Sequence, residues 1–157
     1  MGHKMNSNDN SPITSFNGAY RFLSNFYPSP INIYVKCIFV ECRFMTFPSV
    51  EHAYQAAKTV NLFDKIEISK CKTPGETKRL GRNLKTIDNW DNLKVKIMLD
   101  LLRTKFAIPK LRQKLLDTGD RVLIEGNNWG DTFWGVCQGE GRNELGKLLM
   151  QVRKEIK

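Results

Sequence analysis

Six of the eleven glycines fall between Gly126 and Gly146, and none falls between Gly18 and Gly75. That uneven spread constrains the fold more than any other feature. Glycine loses the most conformational freedom when ordered, so it weakens helices and strands, and it is the default where backbone turns sharply or closes on a ligand. The chain therefore divides into a long front portion able to form regular elements and a glycine-rich loop, residues 126–143. This loop holds Trp129 and Trp134, two of the three tryptophans, and sits just before a final helix.

The front portion reads as follows. Residues 16–30 are aromatic and turn-rich, with Phe16, Tyr20, Phe22, Phe26 and Tyr27 interrupted by Asn17-Gly18 and Pro28-Ser29-Pro30. Residues 31–47 are β-branched and aromatic, including Phe39 and Val40, which predicts a β-hairpin or small sheet. Pro48 ends it, and Ser49 is placed as the N-cap of a helix over Val50-Glu51-His52-Ala53-Tyr54-Gln55-Ala56-Ala57-Lys58. Thr73-Pro74-Gly75-Glu76 has the capping-box spacing with proline at the first helical position, predicting a helix that stops near Gly81. Asp88 or Asn89 caps the longest helix, with Trp90, Leu93, Ile97, Leu101 and Lys105/Phe106 at three- and four-residue steps. Pro109 breaks it, and residues 110–117 form a short helix ended by Gly119. Residues 121–125 read as one short strand, and Leu145, Leu148, Leu149, Val152 and Ile156 as the stripe of a C-terminal helix.

The expected fold class is α+β: a helix-rich single domain over residues 16–157 with a small N-terminal hairpin, preceded by a polar, disordered tail over residues 1–15. The 157 residues suffice for one core without staples. No βαβ alternation carries a glycine fingerprint, which excludes a Rossmann or P-loop site. Four irregularly spaced cysteines, with His3 and His52 as the only histidines, lack the spacing of a metal site, so neither metal nor cofactor is expected. Without a secretion signal or an apolar run of about 18 residues, the expected location is the cytoplasm, with no membrane contact.

Charge supplies the first functional clue. Lys and Arg number 25 against 16 Asp and Glu, a formal charge of +9. Such a surplus suits a polyanionic partner, although a solvated lysine-rich surface shows it too.

Two constellations are candidates for chemistry. Glu51, Gln55 and Lys58 lie at i, i+4 and i+7, on one face of a helix whose only charged residues are Glu51 and Lys58. A carboxylate and an amine on an alanine-rich helix read either as a buried pair or as the polar face of a solvated surface helix, whereas His52 points off that face and reads as a packed polar residue. The glycine-rich loop is the second, because its tryptophans suit a flat ring and its glycines admit a phosphate or sugar near a helix N-terminus. One of Trp129 and Trp134 is expected to be a plug that anchors the loop. Trp90 at helical spacing reads as core, and Arg82 after a helix end as a phosphate partner or a surface cation.

Phe22-Leu23-Ser24-Asn25-Phe26, the Ser49 to Lys58 helix, Gly81-Arg82, Asn89-Trp90, Asp131-Thr132-Phe133-Trp134-Gly135 and Arg142-Asn143-Glu144-Leu145-Gly146-Lys147-Leu148-Leu149-Met150 occur in that order. Together they resemble the NADAR family of N-glycosidases over nearly the whole domain. The departure is the hairpin, which lacks the Asp-Gly turn common in the family and is slightly longer.

The resemblance implies hydrolysis of a bond between ribose C1′ and an exocyclic amine. Two substrates follow from it: ADP-ribosylated guanine in DNA or RNA, supplied by a cognate ADP-ribosyltransferase, or a phosphorylated ribosylamino-pyrimidine intermediate of riboflavin synthesis. It implies Glu51 as principal acid/base, Asp131 as stabiliser of positive charge or activator of water, and Lys58 as an amine able to form a Schiff base. Substrate contacts are implied for Ser24, Asn25, Phe26 and Gln55, for Trp90 and Trp134 on the base or ribose, and for Arg82 and Asn143 on phosphate or sugar hydroxyls. A binding module without chemistry would need the tryptophans and Arg82, but not Glu51, Lys58 and Asp131 together.

Overall fold

The computed structural model describes residues 9–38 and 42–157. Phe39 and Val40 of the expected hairpin, and residues 1–8 of the expected tail, lie outside the described residues. A short 3-10 helix, Gly18–Leu23, leads into β1 (Ile31–Val35) and β2 (Arg43–Phe47), which pair antiparallel with Ile31 opposite Phe47. Alternation decides the faces: Ile31, Val35 and Phe47 are buried, whereas the facing pair Tyr34 and Phe44 stands exposed on the other side.

Helix α1 (Val50–Ala57) follows at once. Ser49 caps it, its hydroxyl accepting from the His52 N–H at 3.3 Å. Eight residues are too few for a stable helix in water, where about 12–15 are needed. Tertiary packing holds it instead: α1 touches β1, β2, α2 (Leu62–Lys70), α3 (Pro74–Arg82) and α4 (Trp90–Phe106). Every residue from Val50 to Ala56 is buried, which explains the alanines and the scarcity of charge. His52 is the packed polar residue expected, with Nδ1 2.7 Å from the Ser49 hydroxyl and Nε2 3.1 Å from the Cys71 carbonyl.

Thr73 caps α3 as its spacing predicts, accepting from the Glu76 N–H at 3.2 Å, and Pro74 occupies the first turn. The Glu76 carboxylate reaches the Lys72 N–H rather than that of Thr73. The cap expected for α4 differs: Asn89 precedes the helix with a left-handed backbone, φ 64°, and makes no side-chain cap. The buried face of α4 is Met98, Leu101, Leu102, Lys105 and Phe106. Lys105 is fully buried, and its Nζ donates to the Ser24 carbonyl at 2.8 Å. Pro109 opens α5 (Pro109–Leu116) rather than only ending α4.

Two expectations need correction. The ordered chain begins upstream of Phe16: Ile13 is 2% exposed and exchanges backbone bonds with Val122 and Ile124, both at 2.8 Å. An isolated isoleucine in a polar stretch gives no periodic signal, and its burial site is made by residues over a hundred positions later. The strand expected over residues 121–125 is a single bridge, Leu123 to Ile13. One side chain takes two more of its backbone groups, with Asn143 donating to the Leu123 carbonyl at 2.9 Å and accepting from the Glu125 N–H at 3.0 Å.

The glycine-rich loop contributes a two-residue parallel pair, β3 (Gly126–Asn127) with β4 (Val136–Cys137). It runs into α6 (Glu144–Glu155), whose Leu145, Leu148, Leu149 and Val152 are buried against the core as the stripe predicts. The four cysteines are free thiols.

Candidate functional site

Where α1, α3, the turn after the 3-10 helix and the glycine-rich loop meet, a cleft of about 640 Å³ opens. Ser24, Asn25 and Phe26 line it from the turn, Glu51, Tyr54, Gln55 and Lys58 from α1, and Gly75, Lys78 and Arg82 from α3. Met98 and Leu145 supply apolar lining, while Glu125, Trp129, Asp131 and Trp134 come from the loop and the segment feeding it.

Glu51 is 7% exposed, and its Oε1 accepts from the Gln55 Nε2 at 2.7 Å. Burial raises its carboxyl above the ordinary carboxylate range, opposed by the Gln55 bond and by the charges of Lys78 and Lys58. Gln55 is held in turn by Gly81: a Cβ there would fall 2.0 Å from the Gln55 Oε1. The glycine therefore lets α3 close on α1 while the amide stays aimed at Glu51. The Gln55 Oε1 and the Asn25 Oδ1 are buried with no hydrogen-bond partner among the described residues. Buried polar atoms of this kind are normally paired, so they mark places where a ligand or water completes the bonding.

Lys58 ends α1 with its Nζ 5.5 Å from the Tyr54 ring centroid and 5.9 Å from that of Trp90. Burial lowers its ammonium below the usual lysine range; Glu51 opposes this, and Lys78, Lys94 and Arg82 reinforce it. Burial likewise raises the Tyr54 phenol. An amine kept from bulk water beside a protonatable carboxyl combines a nucleophile with an acid.

Asp131 is fixed by the loop's own bonds. Its Oδ1 accepts from the N–H groups of Phe133 and Trp134 at 3.1 and 2.9 Å, and its N–H donates to Asn127. Asn127 Nδ2 also donates to the Asp131 carbonyl at 2.8 Å. Trp134 packs edge-on against Tyr54 and Phe133, with centroids 5.7 and 4.9 Å apart. Trp134 is thus the plug, while Trp129 stands 64% exposed at the lip.

Of the residues singled out in the sequence, Ser24, Asn25, Phe26, Glu51, Gln55, Lys58, Arg82, Asp131 and Trp134 line this cleft. Two do not. Trp90 stands behind its wall, tilted on Tyr54 at 5.2 Å, because its place at the first turn of α4 sets it against the core. Asn143 spends its carboxamide on the backbone of Leu123 and Glu125, so it shapes the site without facing it.

Sequence reasoning overlooked Lys78, Tyr54 and Glu125. Lys78 had a signal, since it lies one turn before Arg82 on the same face of α3. Glu125 had none: it ends an irregular segment, and its exposure depends on the loop folding over it. The Glu125 carboxyl is pushed up to about 7 by burial, with Asp131 adding to the shift and Lys105 and Lys78 opposing it. Among the described residues no group of three His, Cys, Asp or Glu could hold a metal ion, and no helix is long and apolar enough to cross a membrane.

This architecture and site have relatives. The family model of the NADAR domain matches residues 14–157, and the chain belongs to that family. It is 37% identical over 145 residues to the N-glycosidase Npun_R5314 of Nostoc punctiforme, covering 88% of this chain and 86% of that protein. It is 35% identical over 139 residues to the riboflavin biosynthesis protein VVA0006 of Vibrio vulnificus, covering 86% of this chain but 35% of that protein. The chain also spans only 20% of a second such relative, the chloroplastic PYRR protein of Zea mays. The NMR structure of the Escherichia coli protein YbiA superposes with a TM-score of 0.77 at 32% identity, over 94% of this chain and 85% of that one. The helix-rich fold with a small antiparallel sheet is therefore that of YbiA.

Proposed function

We propose that this chain is an N-glycosidase that hydrolyses the bond between ribose C1′ and an exocyclic amine, and that its substrate is ADP-ribosylated guanine in nucleic acid. The observation carrying the reaction is the grouping of Glu51, Lys58 and Asp131 around one cleft, with Glu51 raised and Lys58 lowered by burial. A binding module has no use for a buried acid beside a desolvated amine, because both carry a desolvation cost. The relatives named N-glycosidases support the same reading.

In this reading Glu51 gives a proton to the furanose oxygen, and the C1′ centre opens to an iminium. Lys58 as free amine adds to C1′ and displaces the base; water then releases the sugar from the lysine. Asp131 stabilises the positive charge at C1′ or activates the attacking water. Lys78 and Arg82 offer positive charge to a diphosphate, and the exposed Trp129 offers a stacking face to a base at the lip. A cleft of about 640 Å³ lies within the roughly 300–1,000 Å³ of small-molecule sites. The formal charge of +9 exceeds what a single phosphomonoester requires, which favours the nucleic-acid substrate. The second reading, a phosphorylated ribosylamino-pyrimidine, is favoured by the riboflavin biosynthesis names of two relatives.

Parallel incubation with guanine-ADP-ribosylated DNA and with the ribosylamino-pyrimidine phosphate tests both. The expected result is faster release from DNA, a rate that falls steeply with salt, and a loss of about 10²–10⁴-fold in Glu51→Gln. Release from the pyrimidine alone selects the second reading. Release from neither overturns the enzyme.

A further inference from the structure

The reaction proposed above makes two demands for protons. One goes to the ring oxygen as the sugar opens, the other to the amine as it leaves. Glu51 can meet one of them, and the cleft holds another carboxyl that the scheme leaves without a task.

Glu125 lines the cleft, and its Oε2 is buried with no hydrogen-bond partner among the described residues. A buried carboxyl oxygen without a partner carries a desolvation penalty, and a ligand nitrogen in the cleft is a partner that relieves it. The backbone beneath is clamped on both sides. The Glu125 N–H donates to the Asn143 Oδ1 at 3.0 Å, and its carbonyl accepts from the Val136 N–H at 2.9 Å. Gly135 lies against that carbonyl so closely that a Cβ there would come within 2.2 Å of the oxygen.

We propose that Glu125 is a second proton donor of this cleft, giving its proton to the nitrogen of the N-glycosyl bond as that bond breaks. This rests on the N-glycosidase reading. The electron pair of the C1′–N bond passes to nitrogen, which takes the Glu125 proton and leaves as a neutral amine. Water then adds to C1′ of the Lys58 adduct and returns its spare proton to the Glu125 carboxylate, while the proton that Lys58 sheds on forming the adduct restores Glu51, so water and glycoside become sugar and amine with no further reactant. The charged groups around Glu125 fit the task. Asp131 stands as a neighbouring negative charge that favours the protonated form, while Lys105 and Lys78 limit how far it is favoured. The resulting value of about 7 leaves the carboxyl able to give and regain a proton near neutrality. Two carboxyls in unlike surroundings, one fastened to backbone N–H groups and one unpartnered, divide charge stabilisation from proton donation.

The test compares wild type with Glu125→Gln, Glu125→Asp and Glu51→Gln on three substrates across pH 5–9. These are guanine-ADP-ribosylated DNA, the ribosylamino-pyrimidine phosphate, and a ribosylamine whose leaving group is a weakly basic nitro-aminopyridine. Glu125→Gln is expected to lose about 10²–10⁴-fold in kcat on whichever natural-type substrate the wild type cleaves. It is also expected to lose the fall in rate above pH 7 and to be less impaired on the nitro-aminopyridine, whose electron-poor nitrogen takes the departing electron pair with less help from a proton. Glu125→Asp is expected to keep the pH limb at reduced rate, and Glu51→Gln to stay slow on all three. An equal deficit of Glu125→Gln on every substrate, or a pH limb that survives in it, overturns the assignment. Should Glu125→Gln fail to fold, loss of the pH limb in a folded Glu125→Asp overturns it as well. A wild type inactive on all three overturns the N-glycosidase reading itself, whereas an active wild type with an unimpaired Glu125→Gln overturns only the role of Glu125.

Discussion

Helix α1 and the glycine-rich loop supply acids to the same cleft by different means. In α1, regular geometry does the placing: Glu51, Gln55 and Lys58 share a face because they are four and seven residues apart. The helix is kept in register by burial on all sides. In the loop no periodicity operates. Asp131 is set by two backbone donors and by Asn127, and Glu125 by the Asn143 carboxamide on its N–H and the Val136 N–H on its carbonyl. The lesson is that a functional residue on a buried helix is secured by packing, whereas one on a loop is secured by a few side chain–backbone bonds, each individually removable.

That difference can be broken from either side. The largest effect is expected on the helix side, from Gly81→Ala. Helix propensity alone predicts a gain of about 1 kcal/mol, but the added Cβ meets the Gln55 Oε1 at 2.0 Å and must turn the amide away from Glu51. A hydrogen bond to a charged group is worth about 1.5–3 kcal/mol, so turnover should fall about ten- to a hundredfold. The Glu51 titration in the pH–rate profile should move upward, because the lost bond favoured the ionised form. A variant that is more stable and fully active would show that the crossing of α1 and α3 does not set the acid.

On the loop side, Asn143→Ala strips the Leu123 carbonyl and the Glu125 N–H of their partner at once. Urea denaturation should show a loss of about 1–3 kcal/mol. Unlike Gly81→Ala, it should reduce activity through Glu125 and leave the Glu51 limb in place. An Asn143→Gly variant, which tolerates the left-handed backbone at φ 53° but makes no side-chain bonds, should resemble Asn143→Ala. If it is instead close to wild type, the backbone conformation and not the carboxamide is what matters.

A third effect, read in the pH dependence of stability and not in turnover, links the two regions through Lys105, which donates to Ser24 beside α1 and limits the Glu125 shift. Burial holds its ammonium at about 7, against about 10.4 in an unfolded chain. Between those values the unfolded chain binds more protons, so this group makes stability rise as pH goes from about 7 to 10, by at most about 1.4 kcal/mol per unit. Glu125 acts in the opposite sense below 7, since its folded value of about 7 lies above the unfolded value of about 4.3. Its contribution makes stability fall as pH rises across that interval. Melting temperature measured against pH should therefore lose its rise above 7 in Lys105→Met while keeping the trend below 7.

Much of the fold was legible because local chemistry and global packing agree. Ser49 caps α1 and Thr73 caps α3 where their spacing says, and the stripe from Leu145 to Val152 is the buried face of α6. Asp88 or Asn89 was read as the cap of α4, and Asn89 holds that position with a left-handed backbone and no side-chain cap bond. The other misses share a cause, which is that the partner is distant in sequence. Residues 121–125 were read as a strand and are held by Ile13 and Asn143. Trp90 packs on Tyr54 against the core, as its helical spacing says; it was the resemblance that gave it to the substrate.

By itself, then, the sequence determined the helices, the hairpin and the shared face of Glu51, Gln55 and Lys58, because 3.6-residue and two-residue periods are properties of a few neighbouring residues. Only the tertiary structure decided which carboxyls burial pushes upward, that Lys105 is buried, and that the Asn143 carboxamide bonds the backbone of Leu123 and Glu125. Those outcomes depend on desolvation and on hydrogen bonds between segments far apart in the chain, and the glycines that make such close approaches leave the backbone free until its neighbours are in place.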